Sequence, residues 1–234
     1  MNYLTYGGRS TKEFNVWISG TGTFNAPERD CTKEEIVGRN GDLTFDNGRY
    51  KNIEITYPAF ISQDLMEHIA DFEAYMLSLV GYQRLEDTYH PEVYRMAVLK
   101  GGLDITTTAR NLAGQFDLTF DCKPQKYLKV GEKAINVTAT KIIRNTTLYE
   151  AKPLIRAYGT GSFAINGVTC TITAADVYTD IDCELMDAYK IVNGVAVNKN
   201  AYVNIPVFPT LKNGNNTVTV SGVTLDIYPR WWTI

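Results

Sequence analysis

Apolar and polar side chains alternate along much of the first half of the chain. Residues 14–18, 53–57 and 116–122 each place apolar residues at every second position. A period of two is typical of a strand with one buried face, because successive side chains of a strand point to opposite faces of the sheet. Pro91 divides residues 82–102 into two further short strands. These patterns predict a mainly β structure.

One segment departs from this alternation and predicts an amphipathic helix over about residues 62–80. Its apolar stripe consists of Leu65, Ile69, Phe72, Met76 and Leu79. Spacings of four and three residues place these side chains on one face of a helix with 3.6 residues per turn. Ser62 is expected to cap the amino end, and Gly81 to cap the carboxyl end. The stripe is explained by packing on a sheet.

The second half of the chain has a different texture, with short strands and no helical stripe. Asn-Gly pairs at 166–167, 193–194 and 213–214 mark turns, since both residues tolerate a positive φ. The strands are expected at residues 162–165, 168–172, 195–197, 203–207, 217–220 and 223–227. Many short strands separated by turn signals favour a jelly-roll β-sandwich.

This difference in pattern between the two halves of the chain predicts two domains. The first, residues 1–130, is a β-barrel or sandwich-like domain with the helix, and the second, residues 131–234, is the β-sandwich. Residues 124–134 lose all periodicity and carry three lysines, so we expect the connection there.

Composition excludes several classes of function. The 234 residues are 44% hydrophobic and 21% charged, with a net charge of −3. A nucleic-acid-binding protein usually carries a basic patch, so we expect no nucleic-acid partner. No apolar run approaches the ~20 residues that span a bilayer. The first 14 residues do not resemble an export signal. We therefore expect synthesis in a cytoplasm and no membrane partner.

Candidate catalytic and metal-binding groups are scarce. The two histidines, His68 and His90, have no cysteine or second histidine at ligand spacing. The four cysteines are far apart and are expected to be reduced thiols. Asp42 and Asp46 are better explained as solvated or interface charges than as an acid–base pair. The sequence predicts no catalytic residues, no metal and no cofactor, and thus a protein that is not an enzyme.

The segment GRNGDLTFDNGRYKNIEITY, residues 38–57, combines glycine, charge and strand patterning. Its two Asn-Gly pairs predict turns, so the segment is expected to form an extended arm. Charges of both signs permit pairing between copies, and arginine and tyrosine are frequent interface anchors. A solvated hairpin is the alternative. The candidate oligomer-interface residues are Arg39, Asn40, Asp42, Asp46, Arg49 and Tyr50.

The Trp231–Trp232 pair near the carboxyl end raises a second possibility. Aromatic rings can stack on sugars, so Trp231 and Trp232 are candidate glycan contacts. The favoured explanation is that they are buried and rim aromatics of the last strand.

Six segments, in order along most of the chain, carry a family resemblance. They are WISGTGTFNAPERD (17–30), VGRNGDLTFDNGRYKNIEITYPAFI (37–61), RLEDTYHPEVYRMA (84–97), FDCKPQKYL (120–128) and, more loosely, KPLIRAYGTG (152–161) and VFPTLKNGNNTV (207–218). These segments resemble the distal tail (Dit) proteins of long-tailed, non-contractile bacteriophages. The Gly-Arg-Asn-Gly-Asp-Leu and Asp-Asn-Gly-Arg-Tyr motifs are the most specific part.

The resemblance implies a structural protein at the tail tip of a phage or prophage. Six copies would form a ring through their amino-terminal domains. That ring would join the tail tube protein to the tail-associated tip protein, and in some phages it also holds a receptor-binding protein. The carboxy-terminal domain would be a galectin-like sandwich. No histidine follows His90, so the sugar-binding histidine of true galectins has no counterpart. A carbohydrate-binding module that recognises host cell-wall glycans is the alternative function.

Overall fold

The computed structural model describes residues 1–20, 24–107 and 112–234. The chain divides into two compact units, Met1–Lys126 and Tyr127–Thr233, with the terminal residue Ile234 grouped with the first. Strands dominate both units, which confirms the mainly β fold class. In the described part of the chain, no helix is long and apolar enough to span a membrane.

A curled antiparallel sheet forms the body of the first unit. The strands of this unit are β1 (Leu4–Tyr6), β2 (Arg9–Ser10), β3 (Val16–Ile18), β4 (Arg29–Glu34), β5 (Leu43–Tyr50), β6 (Ile53–Ile61), β7 (Gln83–Asp87), β8 (Val93–Leu99), β9 (Thr106–Thr107) and β10 (Gly114–Cys122). Seven of them lie in the order β2-β1-β7-β8-β10-β6-β3, and β9 joins β10. A bridge between Asn2, just before β1, and Ile18 of β3 connects opposite sides of this order, so the sheet closes toward a barrel.

The two longest strands supply much of the core of this unit. β6 and β10 pair over nine residues, with Phe120 opposite Ile55 and Phe116 opposite Ala59. Every second side chain of each strand is buried, as the alternation in the sequence predicts. Burying apolar surface in this way is the main driving force for folding.

The one α-helix of the described residues, α1 (Leu65–Ser78), is shorter than predicted. Ser62 is not its cap, because β6 continues to Ile61 and the chain turns through Asp64, which has a left-handed backbone (φ 56°). Gly81 is not its carboxyl cap either. The helix ends at Ser78 because Leu79 is extended, and the Leu79 side chain packs against Gly7.

Aromatic contacts fix the helix on the sheet. The ring of Phe72 lies 5.6 Å from that of Phe14 and 5.8 Å from that of Phe116. The Tyr75 hydroxyl donates a 2.7 Å hydrogen bond to the backbone oxygen of Tyr6. The predicted apolar stripe is therefore the packing face of the helix.

The second unit contains two sheets. Its strands, starting with the one at the boundary, are β11 (Lys126–Leu128), β12 (Ile135–Val137), β13 (Lys141–Asn145), β14 (Leu154–Tyr158), β15 (Gly161–Ile165), β16 (Val168–Ile172), β17 (Thr179–Asp182), β18 (Asp187–Val192), β19 (Val195–Asn198), β20 (Val203–Asn204), β21 (Gly214–Ser221), β22 (Thr224–Tyr228) and β23 (Trp232–Thr233). One sheet has the order β12-β22-β14-β17-β18-β19, and the other β13-β21-β15-β16-β20. Short 3-10 helices lie at Thr11–Phe14 in the first unit and at Lys129–Glu132 and Asn200–Tyr202 in the second.

A single apolar core, which includes Ile155, Phe163 and Leu225, lies within this unit. Side chains from both sheets contribute to it, which is the arrangement of a β-sandwich. The expected strand at 203–207 is reduced to two residues, Val203–Asn204, and the one at 217–220 is longer, Gly214–Ser221.

β17 carries two buried carboxylates, which the alternation of the sequence does not reveal. The guanidinium of Arg156 donates two hydrogen bonds to Asp180, of 2.7 and 2.9 Å. Arg230 donates two of 2.8 Å to Asp182. Buried charges require such partners, because removing an ion from water is costly.

Candidate functional site

The predicted arm is a two-stranded hairpin formed by β4 and β5. Its boundaries differ from the predicted 38–57. The hairpin begins at Arg29 and ends at Tyr50, whereas Ile53, Ile55 and Tyr57 are buried in β6. The alternation after Asn52 belongs to the core of the barrel-like sheet. No third strand pairs with the hairpin among the described residues, so both of its edges are open.

The two Asn-Gly pairs have different roles. Asn40–Gly41 lies in the turn at the tip, where Gly41 has a φ of 82°. Asn47–Gly48 lies inside β5 and is not a turn. The pairing register shifts between Arg29 and Cys31 opposite this point, and Gly48 has a φ of 71°. A positive φ of this kind is typical of glycine at a β-bulge, so the second pair bends the hairpin.

Asp46 and Tyr50 are held by a residue that the sequence interpretation did not include, Arg29. Its guanidinium lies 2.6 Å from Asp46 and donates a 3.1 Å hydrogen bond to the Tyr50 hydroxyl. The hydrogen bond from Arg29 is the main cause that lowers the pKa of Asp46, and the backbone N–H of Gly48 adds to it. The side chains of Arg29, Asp46 and Tyr50 therefore connect the two strands of the hairpin.

Arg49 forms a second pair across the strands. Its guanidinium lies 2.6 Å from the carboxylate of Asp30, and this hydrogen bond lowers the pKa of Asp30. Exposed ion pairs add little to stability. In a hairpin without a core, the pairs instead favour one register of the two strands.

The tip of the hairpin presents groups that lack partners. Within the part of the chain that the structure describes, the side chains of Arg39, Asn40 and Asp42 form no hydrogen bond or ion pair. Ile36 and Val37 lie beside them, and Val37 is fully exposed. Exposed apolar groups next to unpaired charges of both signs are typical of a contact surface. We call residues 36–42 the hairpin tip.

The six candidate interface residues thus form two sets. Asp46, Arg49 and Tyr50 contact Arg29 and Asp30 within the hairpin, while the other three lie at the hairpin tip. Their partners Arg29 and Asp30 are the last two residues of the first segment of the family resemblance. They lie too far from Asp46, Arg49 and Tyr50 in the sequence for a local pattern to predict these contacts. The apolar pair at the tip was also missed, although its position between polar residues in EEIVGRNG is visible in the sequence.

The tryptophan pair does not present a common flat surface. Trp231 is buried, with 8% of its surface exposed. The Trp232 ring stacks on Tyr149 at 4.4 Å, and its Nε1 donates a 3.0 Å hydrogen bond to the backbone oxygen of Glu150. This arrangement matches the expected buried and rim positions.

The remaining polar candidates are dispersed. His90 lies next to Asp87, with 3.1 Å between Nδ1 and Oδ1. His68 lies on α1. The four cysteines are free thiols, and Cys31 is the one that is not buried. Across residues 1–20, 24–107 and 112–234, no cluster of three or more His, Cys, Asp and Glu residues is placed to hold a metal ion.

The fold consists of a barrel-like β unit with a helix, a two-stranded hairpin and a second unit built as a sandwich, and solved structures of phage tail proteins share it. The SPP1 Dit protein, a paradigm of the hub adsorption apparatus in phages that infect Gram-positive bacteria, has this fold. It aligns over 100% of both chains with a TM-score of 0.73 and 14% identity. At this identity the likeness establishes the fold.

Two structures of the phage p2 baseplate in its activated conformation share the fold less closely. The strontium form gives a TM-score of 0.55 at 12% identity, and the calcium form 0.54 at 11% identity. Each alignment covers 97% of both chains. No protein-family model and no curated protein matches the sequence. The resemblance to Dit proteins is thus confirmed at the level of the fold.

Proposed function

We propose that this chain is a structural hub protein of a phage tail tip. The observation that carries the proposal is the full-length match to the SPP1 Dit protein, which includes both units of the chain. A match over one domain alone would be weaker support, because common folds host many functions. In this role the protein acts by binding its neighbours and performs no catalysis.

The hub would be a ring of six copies that joins the tail tube protein to the tail-associated tip protein. A closed ring needs a heterologous interface, in which one surface of a subunit contacts a different surface of the next. The hairpin tip meets the requirements of one side of such an interface. It presents Arg39 and Asp42, unpaired among the described residues, beside exposed Ile36 and Val37, and the cross-strand ion pairs of the hairpin favour one register of the strands that carry it.

The first experiment measures the molar mass of the purified chain by light scattering, with negative-stain electron microscopy of the same sample. Six copies of a 26.2 kDa chain weigh 6 × 26.2, or about 157 kDa. We expect this mass and annular particles. If the chain alone is a monomer, the tube and tail-associated proteins are added, and a monomer in their presence contradicts the proposed ring.

The contribution of the hairpin tip is tested by exchanging its charges in the double variant Arg39→Glu, Asp42→Lys. The exchange preserves the net charge, and neither side chain forms a contact that stabilises the hairpin, so we expect an unchanged unfolding transition. We expect loss of the ring because the charges at the hairpin tip are reversed. The matched control exchanges the exposed ion pair Glu54–Lys100 as Glu54→Lys, Lys100→Glu, which should leave the ring intact. Rings in the tip variant would exclude the tip from the interface.

A glycan-binding role makes a different prediction for the same material. The burial of Trp231 and the contacts of Trp232 leave no exposed aromatic pair for a sugar to stack on. A screen of host cell-wall glycans against the protein should therefore find no binding that depends on Trp232. Binding that is lost in Trp232→Ala would favour the carbohydrate-binding module.

A further inference from the structure

A cavity of about 280 Å³ opens on the inner face of the curled sheet in the first unit. Its apolar base consists of buried Ile55 and Leu85. This volume is close to the lower limit of ligand pockets, which run from about 300 to 1,000 Å³. The cavity therefore suits a small ligand, and the mouths of β-barrels are frequent locations for such sites.

The strand pattern directs two charged side chains into this cavity. Arg95 lies two residues before Ala97, which is fully buried in β8, and so belongs to the inner face. Asp87 lies two residues after buried Leu85 in β7 and shares that face. Lys126 also lines the cavity. A charged group on the inner face of a barrel is costly unless a partner compensates it.

The carboxylate of Asp87 is already engaged by other groups. It accepts a 2.8 Å hydrogen bond from the Tyr57 hydroxyl and a 2.7 Å hydrogen bond from the backbone N–H of His90. The His90 ring nitrogen Nδ1 lies 3.1 Å from it, and only 13% of the Asp87 side chain is exposed. The charge of Asp87 raises the pKa of Arg95, but its hydrogen bonds go to Tyr57 and His90, and it forms no ion pair with Arg95 or Lys126 among the described residues.

Arg95 and Lys126, by contrast, lack a counter-ion. Neither forms an ion pair with any residue that the structure describes, and Arg95 donates a single long hydrogen bond, of 3.4 Å, to the backbone oxygen of Pro124. Burial lowers the pKa of both groups, and the positive charge of Arg95 lowers that of Lys126 further. Two desolvated cations therefore lie close enough to repel each other.

The other inner-face groups cannot supply the missing negative charge. Burial raises the pKa of the Cys122 thiol to about 12, so that it stays protonated. Burial and the neighbouring Asp87 likewise raise the pKa of Tyr57 and keep its hydroxyl neutral. With one carboxylate against two cations, the cavity has an excess of one positive charge even when His90 is neutral.

We propose that this cavity binds one small oxyanion, such as phosphate or a carboxylate, between the Arg95 guanidinium and the Lys126 ammonium group. The guanidinium offers a planar set of donors that matches two oxygens of a carboxylate or phosphate. The site does not depend on the proposed ring. It would be an anion-binding site of the amino-terminal unit, at the end of the barrel-like sheet.

Isothermal titration of the full chain with phosphate, and separately with acetate, tests the site. Chloride keeps the ionic strength constant, and the two titrations distinguish the two oxyanions. We expect saturable binding of at least one anion, with one site per chain. The variants Arg95→Met and Lys126→Met should each weaken it about ten-fold or more, because a charge-assisted hydrogen bond contributes about 1.5–3 kcal/mol. The matched control Arg144→Met, at an exposed strand position, should bind as the wild type does.

A second measurement needs no change in the cavity. The chain has two histidines, and only His90 lines the cavity. The side-chain NMR signal of His90 therefore reports on the site, and that of His68 serves as an internal control. The His68→Gln variant assigns the two signals. We expect the bound anion to shift the His90 signal and leave that of His68 in place. Absence of saturable binding of both anions, equal binding by Arg95→Met, or equal shifts of both histidines would overturn the proposal.

Discussion

At the residue scale, β17 shows how a buried charge is retained in the sandwich. The side chain of Asp182 is almost fully buried, and Arg230, which lies 48 residues away in sequence, donates two hydrogen bonds to it. Burial opposes ionisation of Asp182, but the hydrogen bonds from Arg230 and from the backbone N–H of Leu185 outweigh it, so its pKa is lowered. The carboxylate is therefore charged at neutral pH.

Removing the partner of this charge should be strongly destabilising. In Arg230→Met the carboxylate stays buried without its counter-ion, and breaking a buried pair in this way costs about 3 kcal/mol or more. Urea unfolding followed by circular dichroism gives the free energy of unfolding of both proteins. The exposed variant Arg144→Met should lie within about 0.5 kcal/mol of the wild type. A similarly small effect of Arg230→Met would mean that the pair contributes little.

The same carboxylate should make stability depend on pH. Because its pKa is lower in the folded state than in the unfolded state, where it is about 3.9, the stabilisation is complete above the unfolded pKa. It is lost as pH falls through the folded pKa. The free energy of unfolding of the wild type, measured from pH 6 down to pH 2.5, should fall more steeply in the acidic range than that of Asp182→Asn. Parallel curves would contradict this assignment.

Residue-scale contacts were also the least predictable from sequence. Charge and turn chemistry identified Asp46, Arg49 and Tyr50 as candidate oligomer-interface residues, whereas in the structure they contact Arg29 and Asp30 within the hairpin. These contacts depend on the pairing register of two strands. That register is set by a bulge at Gly48. A bulge and a turn use the same Asn-Gly pair, so local sequence does not separate them.

At the element scale, hydrophobic period was the reliable signal. It located α1, the buried faces of β6 and β10, and six strands of the sandwich, because burial of a face imposes its period on the sequence. It failed at element ends. The helix begins at Leu65 because β6 runs on to Ile61, a constraint that arises from sheet pairing and that no capping motif reports.

Two glycines of the sandwich allow the packing of strand ends to be tested. At Gly161, which has a φ of 145°, an added Cβ would lie 2.2 Å from the backbone oxygen of Ser221. At Gly167, with a φ of 84°, the space around an added Cβ is open. In both alanine variants the positive φ strains the backbone, which costs about 1 kcal/mol. Only Gly161→Ala also forces two backbone segments apart. Thermal unfolding should therefore show a clearly larger loss for Gly161→Ala, and equal losses would exclude the backbone clash.

At the scale of the whole molecule, each unit has an apolar core of its own. We propose that the units are separate domains that meet near residue 126, a few residues before the predicted boundary at 130. Composition and pattern predict two β domains, since the pattern in each half of the chain reflects how its strands are buried. The oligomeric state is encoded differently. In the proposed ring it would depend on surfaces such as the hairpin tip, whose charged side chains have no partner among the described residues and so leave no periodic signal.

The closure of the barrel-like sheet also has a consequence for the order of folding. Its amino-terminal strand pairs with β7, and the contact between Tyr3 and Thr88 joins residues 85 positions apart. Contacts of such long range form slowly, because the intervening chain must first be brought together. During synthesis, β1 can pair locally with β2, but its other edge has no partner until β7 has left the ribosome, and the centre of the sheet is incomplete until β10 follows. The first segment to be made thus gains its long-range partner late, and its apolar residues are not enclosed by the complete sheet in the interval.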